Sequence, residues 1–187
     1  MNKNEYKIIF LDRDGVINQS PGDERYVNSY KEFKFIEGSI EGIKKLYLKG
    51  YKIFIISNQS GVSKGLYTKK DLEAINDLIV KQLRKYKVSL SGIYYCTHNP
   101  QDNCNCRKPK TGLLEKAVSE LGVKPKWSIF IGDTFKDMKA AVKFGAKAVL
   151  VLSGKEKIAN RNSWEFEPEY IFKDLLAAAT YISANYE

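Results

Sequence analysis

The chain has 187 residues, 43% of them hydrophobic and 28% charged, which suits one globular domain, 1–187, with a full core. No apolar run approaches the roughly 18 residues that a bilayer span needs, and the apolar stretch near the N-terminus is too short for a secretion signal, so a cytoplasmic protein with three reduced thiols and no membrane partner is expected. Thirty-one Lys and Arg against 22 Asp and Glu give a net charge of +9, which either draws anions to a cleft or is spread over solvated helix faces.

In chain order, the first predicted strand is KIIFL (7–11), and it runs directly into DRDG: Asp12, Arg13, Asp14 and Gly15. Two carboxylates separated by one residue at a strand tip can face one crevice, one as nucleophile and the other managing protons. A polar turn closing the strand is the alternative. Residues 18–37 follow as a long, poorly periodic loop, and then Ile40, Ile43 and Tyr47 mark one face of a helix.

YKIFIIS (51–57) predicts the second strand, and its end, SNQSG, presents Ser57, Asn58, Gln59 and Ser60 as hydrogen-bonding groups that suit phosphate oxygens or simply a turn. Thr68 and Asp71 form a capping box for a second helix with Leu72, Ile75 and Ile79 on one face. A weaker strand, GIYYC (92–96), opens the stretch CTHNPQDNCNCRKPK, which holds all three cysteines and the only histidine. Cys96, His98, Cys104 and Cys106 supply three thiolates and one imidazole, a complete set for tetrahedral Zn²⁺ with no open position, hence a structural site. A Cys104–Cys106 disulfide and a chance cluster of thiols are the competing readings. Lys108 directly follows this set and brings a positive charge toward the same crevice.

After a helix with Leu114, Ala117, Val118 and Leu121 on one face, WSIFIG (127–132) predicts a strand ending in Asp133. With Asp12 and Asp14, Asp133 makes an all-oxygen site of the kind Mg²⁺ prefers. Asp137 is also available, but with Thr134 it fits a capping box, so Asp133 is the stronger ligand candidate. AKAVLVL (146–152) is the last predicted strand, and PEYIFKDLLAAATYI (168–182) reads as one final helix. Near-continuous apolar strands alternating with helices imply an α/β, doubly wound, Rossmann-like parallel sheet.

FLDRDGVIN, SNQSGV, CRKP and IGDTFKDM, in that order, resemble the haloacid dehalogenase-like phosphatase superfamily. The resemblance implies a domain without a large cap, with a zinc-bound loop at 96–106, that hydrolyses a small phosphorylated metabolite as a monomer. It makes Asp12 the nucleophile and Asp14 the acid and base. Mg²⁺ would be held by the Asp12 carboxylate, the Asp14 backbone carbonyl and Asp133. Ser57 and Lys108 would stabilise the phosphoryl group, with Arg13, Asn58, Gln59, Ser60 and Arg107 on the substrate side. Within the superfamily, a sugar bisphosphate is the expected substrate. The five-residue spacer between His98 and Cys104 also resembles that of histidinol-phosphate phosphatases, which makes histidinol phosphate the alternative. Thr134 stands where some sugar bisphosphate members carry a basic residue. A nucleic-acid-binding zinc module would account for the charge and the Cys/His cluster but leaves the spaced aspartates unexplained.

Overall fold

A computed structural model describes residues 5–22, 25–122 and 124–186. Six parallel strands form one sheet: β1 (Glu5–Leu11), β2 (Lys52–Asn58), β3 (Gly92–Cys96), β4 (Lys124–Gly132), β5 (Lys147–Val151) and β6 (Tyr170–Phe172). Their spatial order is β3-β2-β1-β4-β5-β6. The chain thus winds outward from β1 on one side, then crosses back to β4 on the other. The switch in direction lies between β1 and β4, where Leu11 pairs with Ile131. In open parallel sheets, the crevice beyond the strand ends at such a switch is where ligands bind.

Among the described residues four α-helices connect strands, α1 (Ser39–Leu48), α2 (Lys69–Arg84), α3 (Gly112–Leu121) and α4 (Phe135–Phe144), and a fifth, α5 (Leu175–Asn185), follows β6. The central strands have no polar face because both sides are covered. Ile9, Leu11, Ile53, Ile55, Ile129 and Ile131 pack with Ile43 and Leu46 of α1, Ile75 and Ile79 of α2, and Leu175 and Ile182 of α5. The alternate residues Ile8, Phe10, Phe54, Ile56 and Phe130 pack with Leu114 and Ala117 of α3 and Met138 and Ala141 of α4. Period-two alternation therefore splits one apolar run into two cores, which is why these segments read as continuous. Each fully buried Ile or Phe contributes about 1.5–3 kcal/mol of transfer free energy.

The Thr68–Asp71 capping box forms as expected, with the Asp71 amide donating to Thr68 Oγ1 and the Thr68 amide to Asp71 Oδ2. One expectation fails. Residues 168–182 are not a single helix: Tyr170–Phe172 pairs with Val149–Val151 as the edge strand β6, and α5 starts only at Leu175. Asp174 is the reason, since its carboxylate accepts the Ala177 amide at 2.8 Å and fixes the helix start there. Between the strand tips and the following elements, the described residues hold only loops and two short 3₁₀ turns, Pro100–Asp102 and Ile158–Ser163, so nothing in them forms a cap over the crevice. The expected loop 18–37 is partly outside the described residues (Asp23 and Glu24). Its remainder is tied back to the crevice by bridges of Asn18 with Asp14 and Phe35.

Candidate active site

The crevice at the carboxyl ends of the strands has a volume of about 220 Å³, and Asp12, Asp14, Ser57, Asn58, Lys108 and Asp133 are on its wall. Asp12 follows β1 directly, and its amide donates to Ile131 O at 3.0 Å, so the sheet ladder extends to the reactive position. Asp12 Oδ1 accepts the Arg13 amide at 2.7 Å and meets Lys108 Nζ at 2.9 Å. Both contacts go to Oδ1 rather than Oδ2.

Lys108 is only 2% exposed, and its ammonium has three partners: Asp12 Oδ1, Asp137 Oδ1 at 2.6 Å and the Ile56 carbonyl at 2.8 Å. The carbonyl contact is a hydrogen bond, and the two carboxylate contacts are ion pairs. Burial alone would lower its pKa, but the two carboxylates outweigh that and raise it, so Lys108 stays charged. Its position is set from β2, because Asn58 Nδ2 donates to Lys108 O and the Lys108 amide donates to Asn58 Oδ1, each at 3.1 Å.

Asp137 has both oxygens engaged. Oδ2 accepts the Thr134 amide and hydroxyl at 3.1 and 2.7 Å, and Oδ1 faces Lys108. The capping reading therefore holds, and Asp137 acts on Lys108 as well. Asp133 differs: Oδ2 accepts the Lys155 amide at 2.8 Å, whereas Oδ1 is buried without a hydrogen bond, as Asp137 Oδ1 is, but has no lysine beside it in an ion pair among the described residues. Gly154 makes this possible, since a Cβ there would sit 2.0 Å from Asp133 Oδ2.

Oxygens of Asp12, Asp133 and Asp137 lie within 4.8 Å of one another, and the lysine beside them neutralises only one negative charge. Burial first, and then the neighbouring carboxylates, push Asp133 well above the carboxylate range. Asp12 is raised to about 6 by burial, which Lys108 partly offsets. An excess of buried negative charge with one unpartnered oxygen is the environment that a hard cation such as Mg²⁺ fits. The side chain of Asp14 stands apart from this cluster. It accepts from Arg13 Nε and Nη2, Asn18 Nδ2 and Gln59 Nε2 at 2.8–3.1 Å.

Not all of the expected substrate-side residues reach the crevice. Asn58, Ser60 and Arg107 are on its wall. Arg13 and Gln59 lie beneath it, each 1% exposed, Arg13 bound to Asp14 and both bound to each other. Other wall residues were not singled out in the sequence: Tyr26, Lys136 and Lys155. Tyr26 lies in the long loop after β1. Lys155 follows β5, so the strand-end rule that located Asp12 and Asp133 applies to it too. Lys136, in the first turn of α4, has its pKa lowered by desolvation and by Arg107 and Lys155, so the mouth of the crevice is cationic.

Beside the crevice, the loop between β3 and α3 brings together Cys96, His98, Cys104 and Cys106. Edges of this group are 3.5 Å (Cys96 Sγ to His98 Nδ1), 3.6 Å (Cys96 Sγ to Cys104 Sγ), 3.2 Å (His98 Nδ1 to Cys106 Sγ) and 3.4 Å (Cys106 Sγ to Cys104 Sγ). The sulfurs are far beyond the ~2.05 Å of a disulfide, so the Cys104–Cys106 pairing does not form. Burial, then the neighbouring sulfurs, push Cys106 up to about 12, because thiols this close cannot all ionise without a cation. Three sulfurs and one ring nitrogen at tetrahedral-edge spacing fit Zn²⁺.

Comparison with known proteins agrees with this geometry. Residues 105–178 match the HAD-hydrolase-like family model. A D-glycero-beta-D-manno-heptose-1,7-bisphosphate 7-phosphatase of Haemophilus influenzae is 39% identical over 158 residues, 80% of this chain and 83% of that protein. The chain belongs to the haloacid dehalogenase-like phosphatases. A second phosphatase of that name, from Helicobacter pylori, is 39% identical over 84% of this chain and 89% of its own length. Among solved structures, the D,D-heptose 1.7-bisphosphate phosphatase of B. bronchiseptica, complexed with magnesium and phosphate, superposes with a TM-score of 0.86. It is 31% identical and aligns over 94% of this chain and 97% of that one. As a family member, the chain is a phosphomonoester hydrolase. Among the described residues, no helix is long and apolar enough to cross a membrane.

Proposed function

We propose that the protein is a Mg²⁺-dependent phosphatase that removes the 7-phosphate of D-glycero-D-manno-heptose 1,7-bisphosphate and so supplies the heptose of bacterial lipopolysaccharide precursors. The observation that carries this reading is Asp12, with Oδ1 fixed by Lys108 and the Arg13 amide and with Asp14 on the same crevice wall. The names of the relatives at 39% identity supply the substrate.

In this reading, Asp12 Oδ2 attacks the C7 phosphorus, and the bond from phosphorus to O7 breaks as Asp14 gives its proton to O7. Asp14 then takes a proton from water, which attacks the aspartyl phosphate, releases inorganic phosphate and restores Asp12. Ser57 and Lys108 stabilise the phosphoryl oxygens, Asn58 and Ser60 line the sugar side, and Arg107 meets the rest of the substrate. Arg13 and Gln59 serve the substrate indirectly, by holding Asp14. The Asp12 and Asp133 carboxylates and the Asp14 backbone carbonyl would hold Mg²⁺, which supplies charge neutralisation to the phosphoryl group. Cys96, His98, Cys104 and Cys106 would hold a structural Zn²⁺.

That all six strands share one sheet supports a single domain over 1–187. The exposed apolar side chains Leu48, Val142 and Ile158 are on α1, α4 and the Ile158–Ser163 turn, and a monomer is part of this reading. Three free thiols are consistent with a cytoplasmic setting. The cysteine loop is short and lies against the crevice, with Arg107 on the crevice wall, so a small metabolite suits it better than nucleic acid. Phosphorus NMR of the product tests the reading: release of the 7-phosphate with the 1-phosphate retained is expected, and no release in the presence of Mg²⁺ overturns it.

A further inference from the structure

Beneath the crevice wall lies a hydrogen-bonded chain that includes one group absent from the account above. Tyr67 ends the loop between β2 and α2, is 5% exposed, and its hydroxyl donates to Gln59 Oε1 at 2.6 Å. Arg13 Nη2 donates to the same oxygen at 3.1 Å. Arginine has donors only, so the atom it faces must be the amide oxygen, and the orientation of Gln59 is thereby determined. The other end of the amide, Nε2, donates one proton to Asp14 Oδ2 at 2.8 Å and one to Ser57 Oγ at 2.9 Å. All four hydrogen bonds that a glutamine can make are present.

The polarity of this chain has a chemical result. A lone pair of Ser57 Oγ is taken by Gln59, so the hydroxyl's own proton is free to go to a phosphoryl oxygen. Asp14 receives an N–H, which fixes one carboxylate oxygen and the plane of the group. Gly61 gives the Tyr67 ring its place, since a Cβ on that residue would lie 2.1 Å from the ring.

We propose that Tyr67 is a positioning residue of the phosphatase reaction: through Gln59 it orients Ser57 as a donor to the transferring phosphoryl group and Asp14 for proton transfer. The proposal rests on the phosphatase reading of this site. Tyr67→Phe keeps the ring and leaves Arg13 on Gln59 Oε1, so the variant folds.

Expected in Tyr67→Phe is a kcat lower by about five- to tenfold, the worth of one hydrogen bond to the network, with KM within about twofold of wild type. In a Gln59→Ala background the same substitution changes kcat no further, because Tyr67 then has nothing to act through. Equal losses in both backgrounds, a change confined to KM, or an unaltered kcat would each overturn the proposal. A second readout needs no catalysis. The Gln59 side-chain amide protons, identified by their loss in Gln59→Ala, should exchange with solvent several-fold faster in Tyr67→Phe, and unaltered exchange overturns the proposal even in an active enzyme. A wild-type protein that hydrolyses no phosphomonoester, yet shows the exchange effect, overturns the phosphatase reading and the catalytic half of the proposal while leaving the orientation of Gln59 by Tyr67 in place.

Discussion

Asp12 and Lys108 form the most consequential pair of side chains in the molecule, and the pair works in both directions. The lysine keeps a buried carboxylate from protonating fully, and Asp12 and Asp137 keep a buried ammonium charged. In the proposed mechanism Asp12→Asn removes the nucleophile, so it should lower kcat by at least about 10⁴-fold without unfolding the protein, which a phosphate-release assay beside a melting curve checks. The raised carboxylates also set a pH dependence. A folded-state pKa above the usual 3.8 means that the metal-free folded state binds more protons than the unfolded chain, so its stability declines as pH rises from about 4 through about 6. Mg²⁺ at the proposed site would replace those protons, so the rise in melting temperature on adding it should be larger at pH 7 than at pH 5; an equal rise at both would contradict this. Much of this site was legible in the sequence, because Asp12 and Asp133 directly follow apolar strands and Ser57 lies at the end of one. Tyr67 and Lys136 were not, since a tyrosine before a helix cap and a lysine in a helix's first turn look the same whether or not they face a site.

Among the elements, the loop from Cys96 to Lys108 joins two chemistries. Its four candidate zinc ligands, spread from Cys96 to Cys106, come together in space, and its last two residues, Arg107 and Lys108, carry positive charge to the crevice. A polar loop has little apolar surface with which to hold its own shape, so a bound ion would be its main constraint. Cys104→Ser should therefore abolish zinc binding and raise KM about tenfold, with metal content and steady-state kinetics as the measurements. A variant that loses zinc yet keeps normal KM and kcat would show that zinc does not position this arm. At the N-terminus of α4, Thr134→Ala removes one donor to Asp137 and with it a cap, at a cost of about 1 kcal/mol readable by chemical denaturation. Capping boxes were legible because they follow fixed spacing. The strand β6 was not, because three apolar residues running into a helix share its pattern, and only the Asp174 cap and pairing with β5 separate them.

For the whole molecule, the parallel sheet follows from near-continuous apolar strands and intervening helices, and its strands stand in the order β3-β2-β1-β4-β5-β6. That order sets β1 beside β4 and so brings Asp12 next to Asp133 across 121 positions of sequence, a juxtaposition that no local pattern contains. The open crevice, with Arg107, Lys136 and Lys155 around its mouth, suits a substrate with a second anionic group better than one with an imidazole. Substrate choice is measured by kcat/KM for D-glycero-D-manno-heptose 1,7-bisphosphate against histidinol phosphate, both with Mg²⁺. A preference of at least about a hundredfold for the heptose bisphosphate is the predicted result. Equal turnover, or a preference for histidinol phosphate, would contradict it.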